Sequence, residues 1–132
     1  MSAKEPPARD PERAAPDVIL DVEFDRGLLF LVVANAGERP ALAVQVRFEQ
    51  PFRGLGGTAD VSALRLFRKI EFLPAGKEIR TLLDSSSAYF SRREPVKLAA
   101  AIAWRGEDGT RHERRIVHDL AIYRDLAYVV ER

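Results

Sequence analysis

Two neighbouring runs set the frame of this chain. Residues 28 to 34 are apolar without a break, and from Ala41 to Glu49 two faces alternate, with Leu42, Val44, Val46 and Phe48 on one and Ala43, Gln45, Arg47 and Glu49 on the other. A period of two belongs to a strand with one buried face. The unbroken run has no polar face, which suits a strand in the middle of its sheet. Asn35, Ala36 and Gly37, with the polar stretch to Pro40, make a turn between the two, so they read as a β-pair.

The same periodicity extends along the rest of the chain. Val18, Leu20, Val22 and Phe24 alternate with Ile19 and the acids Asp21, Glu23 and Asp25, and Asp25, Arg26 and Gly27 turn the chain into the apolar run. Residues 50 to 59 form a long connection containing Gly54, Gly56 and Gly57. Residues 60 to 72 are ambiguous: Val61, Leu64, Phe67 and Ile70 fit a helical turn opened by Asp60, whereas Leu66, Arg68, Ile70 and Phe72 fit an edge strand. The expectation is irregular structure followed by a short strand near 69 to 73. A turn at Leu73 to Gly76 leads to a strand from Lys77 to Leu83, and Asp84 to Ser87 can cap a single helical turn through Phe90. Val96 to Trp104 is apolar on both faces. Its second face is only Ala99, Ala101 and Ala103, small enough to predict close contact with another layer. An Asp108-Gly109 turn leads to the return strand from Thr110 to Leu120. Ile122, Tyr123, Leu126, Ala127 and Val130 recur at helical spacing, while Tyr128 to Val130 would also suit a strand.

About seven short strands with turns every 8 to 15 residues or so, and at most short helical turns, predict an all-β fold, an immunoglobulin-like antiparallel β-sandwich. An open barrel is the competing architecture. The 132 residues suffice for one domain. Its expected span is 17 to 132, after a disordered N-terminal tail, 1 to 16, which carries four prolines and no large apolar residue after Met1.

Composition narrows the function only by exclusion. Lys and Arg number 21 against 20 acids, so a net charge of +1 gives no general attraction to nucleic acid or to an anionic membrane. Cysteine is absent, which removes a disulfide frame and thiolate chemistry. The polar start lacks the apolar core of a secretory signal, no apolar run is long enough to span a bilayer, and the expected location is the cytoplasm. The excess of Arg over Lys, 17 to 4, points to a bacterial source.

Several motifs could carry chemistry. Gly54 to Ala59 matches G-x-G-x-x-A, the dinucleotide fingerprint, but no parallel crossover follows it, and the expectation is a flexible inter-strand loop. His112 and His118 share one strand face about 20 Å apart, too far to ligate one metal ion together. His118, between Ile116 and Leu120, suits the core margin with one nitrogen satisfied. Ser85, Ser86 and Ser87 lack a nucleophile elbow. Arg65, Arg68 and Lys69, Arg92 and Arg93, and Arg111, Arg114 and Arg115 form basic clusters that read as solvated faces. Trp104 is expected to fill the core at its strand end.

The sequence V-x-N-x-G followed by A-x-x-V-x-V-x-F (Val33 to Phe48), F-L-P-A-G-K-E (Phe72 to Glu78), and H-D-L (His118 to Leu120) after an apolar strand and a G-x-x-G turn resembles bacterial immunoglobulin-like domains. It is most similar to small uncharacterised bacterial proteins of that kind, many from actinobacteria, over residues 18 to 123. The resemblance implies the fold and carries no catalytic, cofactor or metal residue with it. The expected function is therefore a non-enzymatic protein-interaction or scaffolding module, with a protein partner or self-association and with no cofactor and no membrane. Its candidate contact residues are Leu66, Phe67, Arg68, Tyr123, Leu126 and Val130. The alternatives are a metal-dependent or acid/base hydrolase using acids near His112 or His118, and, more weakly, binding of an anionic ligand or nucleic acid.

Overall fold

A computed structural model describes residues 15–127. Seven strands form two antiparallel sheets: β1 (Val18–Asp25), β2 (Leu28–Asn35) and β5 (Glu78–Ser85) in the order β1-β2-β5, and β3 (Ala41–Phe48), β4 (Ile70–Leu73), β6 (Lys97–Arg105) and β7 (Arg111–Asp119) in the order β4-β3-β6-β7. Among the described residues helical structure is limited to single turns, including Arg65–Arg68 and Ser86–Phe90. This is the immunoglobulin-like sandwich expected, and among the described residues no ladder joins the two sheets into a barrel.

The apolar run is β2, central in its sheet as its lack of a polar face requires. A two-residue turn with positive φ at both Arg26 and Gly27 joins it to β1, the geometry that matches the strands' own twist. The expected pairing of β2 with β3 is not formed. The connection after Asn35 crosses from one sheet to the other, and the two strands lie in opposite sheets. Asn35 makes this crossing. Fully buried, it accepts at Oδ1 from the amides of Asp17 (3.1 Å) and Gly37 (3.0 Å), and donates through Nδ2 to the carbonyls of Arg39 (2.8 Å) and Leu73 (3.1 Å).

The core lies between the inward faces of the two sheets. Leu20, Leu29, Leu31, Val33 and Leu83 meet Val44, Leu98, Ala100, Ile102 and Trp104. Each buried large side chain contributes about 1.5–3 kcal/mol relative to exposure, so this layer supplies most of the stability. Between β3 and β4, Phe52, Val61 and Phe67 are buried, and the Phe52 and Phe67 rings meet Phe48 edge-on at 4.8 and 4.9 Å. Residues 60 to 72 thus realise both readings of their pattern, helical turns through Phe67 and then the short strand β4.

β3 departs from simple alternation. Three steps from Leu42 to Gln45 oppose two from Arg105 to Ala103, and Ala43 has φ 50°, a β-bulge. Its effect is to change which residues face inward: Ala41 before the bulge, Val44 and Val46 after it, with Leu42 half-exposed instead of buried.

The outer edge of β1 is closed by the end of the chain. His118 Nε2 lies 2.6 Å from the Leu20 carbonyl, and the Tyr123 hydroxyl donates to the Val22 carbonyl at 3.2 Å. A carbonyl only accepts, so Nε2 of His118 carries the proton. Trp104 Nε1 donates to the Pro16 carbonyl at 3.2 Å. Pro16 is buried, so the ordered part of the chain includes residues assigned from sequence to the tail, while 1 to 14 lie outside the described residues.

Candidate functional site

The outer face of the four-stranded sheet follows from strand alternation. On β6, Leu98, Ala100, Ile102 and Trp104 point into the core, so Ala99, Ala101 and Ala103 point away from it. Beyond the bulge, β3 directs Gln45, Arg47 and Glu49 outward, and β7 directs Arg111, Glu113, Arg115 and Val117 outward. Register aligns them in rows: Gln45, Ala103 and Glu113 in one, Arg47, Ala101 and Arg115 in the next. Long side chains on the outer strands and methyl groups on the middle one leave a trench. Its walls stand about 10 Å apart, two strand spacings, and the three alanines floor about 14 Å of its length.

The expectation that another layer covers the alanine face is corrected here. Ala101 is exposed, and an open cleft of about 470 Å³ lies over it and Ala103. Small residues permit close approach, and among the described residues no layer covers them. A second hollow of about 210 Å³ adjoins it over Ala99, between Glu49 and Val117. Arg115 lines both hollows and holds Glu49 with both ends of its guanidinium, Nε to Oε2 and Nη2 to Oε1 (3.0 Å). These bonds hold the Glu49 carboxyl below its ordinary range and raise the Arg115 guanidinium.

Arg114 is tied to Asp17 and lies over the Trp104 ring. Arg47 and Arg111, on opposite walls, make no ion pair or hydrogen bond among the described residues, and neither does Glu113. The cleft therefore offers two guanidinium groups and one carboxylate without a partner among the described residues, above an apolar floor. Guanidinium groups grip carboxylates and similar anions through paired N–H donors.

The other motifs are occupied with structure. The Gly56 amide points at the Asp84 carboxylate (3.1 and 3.2 Å), which also accepts from the Ser85 amide and from Arg92 Nη2 at 2.8 Å. Arg92 bonds in addition to Glu94 and to the carbonyls of Ala88 and Arg53. Burial opposes its charge, yet the bonds to Asp84 and Glu94 more than offset this and raise its pKa. The glycine-rich loop is thus pinned to an internal anion, where a flexible one was expected. Ser85 caps the helical turn by accepting from the Ala88 amide. His112 stacks on Trp104, 5.5 Å between centroids, and His118 sits at the core margin on the Leu20 carbonyl. No three acids and histidines among the described residues are placed to hold a metal ion.

The candidate contact residues do not gather. Phe67 is a core residue, 2% exposed, because Phe48 and Val61 enclose it, so it is withdrawn as a contact. Leu66 is half-buried and Arg68 exposed. Tyr123 turns inward to stack on Phe24, Leu126 is exposed, and Val130 lies outside the described residues. The trench residues were visible in sequence only as an alternating alanine face, a pattern that says how near a neighbour comes and not whether it belongs to the same chain.

Fold and surface together define a disulfide-free, immunoglobulin-like β-sandwich with an open, arginine-walled trench on its larger sheet. Residues 4–124 match the family model described as a domain of unknown function, DUF8453, and the chain belongs to that family. No curated protein and no solved structure matches it significantly.

Proposed function

We propose that this protein is a non-enzymatic, cytoplasmic interaction module of bacterial origin that docks a segment of a partner polypeptide in the trench over Ala99, Ala101 and Ala103. The observation that carries this reading is the cleft of about 470 Å³ with an apolar floor and two guanidinium groups, those of Arg47 and Arg111, without a partner among the described residues. A floor of methyl groups favours close van der Waals contact with a main chain, and polar walls fix its register. The groups that line it are bases, acids and an amide, suited to holding a ligand. The lack of cysteine supports the location.

Selection from a displayed random peptide library tests the reading. The wild-type protein should enrich a related set of peptides, and Ala101→Arg, which fills the exposed floor without touching the core, should lose them. No enrichment, or equal binding of the enriched peptides to Ala101→Arg, would overturn it.

A further inference from the structure

Resting on the docking function proposed above, we infer that the partner segment is acidic and that Glu49 stands, in the free protein, where one of its carboxylates binds. Three observations lead there. The larger cleft is walled by three outward-facing arginines, Arg47, Arg111 and Arg115, against a single acid, Glu113, while Arg114 is tied to Asp17 on the other face of β7. The chain as a whole carries a net charge of only +1, so this excess is local. And Arg115, at the junction of the two hollows, is held by Glu49 in the bidentate geometry that a foreign carboxylate would use.

The Glu49–Arg115 pair is exposed on both sides, with side-chain accessibilities of 46% and 60%. It is therefore weak enough to exchange. An incoming carboxylate that replaces Glu49 on Arg115 leaves the total of ion pairs unchanged and removes the bridge between the hollows, making one trench along the alanines. Arg47, in the same row as Arg115, and Arg111, two rows along and on the opposite wall, then meet further carboxylates of the same segment. In an extended chain, acids at alternate positions lie on one face about 7 Å apart, the repeat of the rows themselves. A polypeptide is favoured over nucleic acid because the trench floor offers alanine methyl groups where a base would need an aromatic platform.

The test is fluorescence anisotropy on the full chain with three labelled probes: a ten-residue peptide alternating Glu and Ala, its Gln-for-Glu counterpart, and a ten-nucleotide single-stranded oligonucleotide. The Glu peptide should bind at least about tenfold more tightly than the Gln peptide, a loss of several charge-assisted bonds. Arg47→Ala combined with Arg111→Ala should weaken it severalfold, while Glu49→Gln, which removes the internal competitor, should tighten it about two- to fivefold. All three positions are exposed, so thermal melting controls for folding. Equal binding of the two peptides, no effect of the arginine substitutions, weaker binding on Glu49→Gln, or tighter binding of the oligonucleotide would each overturn the inference. A library that enriches uncharged peptides dependent on Ala101 would refute the acidic partner and leave the docking function standing, whereas loss of all enrichment would remove both.

Discussion

Replacing Asn35 by Ala should be among the most damaging single substitutions in this protein. The side chain joins four main-chain groups from three stretches of chain: the amides of Asp17 and Gly37 and the carbonyls of Arg39 and Leu73. Only the bond to Leu73 is wholly buried, and the other three are partly open to water. An unsatisfied buried group costs about 1–3 kcal/mol, and a part-buried bond somewhat under 1 kcal/mol net, so the expected loss is about 4 kcal/mol. For a domain of this size that lowers the midpoint of thermal unfolding by roughly 15 °C. Trp104, the sole tryptophan, reports the transition by its fluorescence. Asn35→Asp sharpens the test. It keeps the acceptor toward Asp17 and Gly37 but aims a carboxylate at the Arg39 and Leu73 carbonyls, so its folded-state pKa is raised. A raised carboxyl pKa gives stability that is present at low pH and lost as pH rises through the folded-state value. The Asp variant should therefore melt closest to wild type near pH 4 and fall away by pH 7. An Ala variant losing less than about 1 kcal/mol, or an Asp variant without that pH trend, would refute the role given to Asn35.

Other outcomes follow from single groups. Burial, reinforced by the nearby Glu94 carboxylate, raises the Tyr89 hydroxyl above its ordinary pKa of about 10, while the hydroxyl donates to the Pro95 carbonyl at 2.6 Å. Its stabilising effect is complete below pH 10 and declines above it, by at most about 1.4 kcal/mol per pH unit, so Tyr89→Phe should lower stability at neutral pH yet flatten its alkaline decline in denaturant titrations. Gly54→Ala places a Cβ 2.0 Å from the Leu83 carbonyl oxygen and should cost several kcal/mol or prevent folding, whereas Gly56→Ala meets nothing within 4 Å and carries only the strain of φ +71°, about 1 kcal/mol. Chemical denaturation of the two variants separates a close approach from a backbone preference. Tyr123→Phe removes the bond to the Val22 carbonyl and should cost about 1 kcal/mol in the same measurement.

The strands were legible where one face is buried, because alternation is a local consequence of burial. β1, β5, β6 and β7 follow their patterns to within a residue or two at the ends. What local pattern does not encode is which sheet a strand joins. The turn residues after β2 look like those of any hairpin, and the bond of Asn35 to the Leu73 carbonyl, 38 residues away, is what ties the crossing to the other sheet. The bulge at Ala43 was hidden for a similar reason, since alanine suits either face. Two of the candidate contacts, Phe67 and Tyr123, turn inward for a different one: they read as apolar residues in ambiguous segments, and apolar residues in such segments are as often the cap of a core as a surface. The trench depends on two strands that flank the alanines, β3 and β7, and on side-chain length across them, none of which lies within one stretch of sequence.

The closure of the β1 edge by His118 and Tyr123 also bears on how the chain reaches this state. The bonds of Leu20, Val22 and Pro16 to their partners span 98, 101 and 88 residues. Bringing together points that far apart costs about 4 kcal/mol of chain entropy before any contact forms. The β1-β2 hairpin, joined by two residues, can form early, but its outer carbonyls stay unpartnered until the last strand and the turn after it arrive. On a ribosome, that moment comes only when almost the whole described chain has emerged, so folding should be late and cooperative, with the first strand waiting for the last.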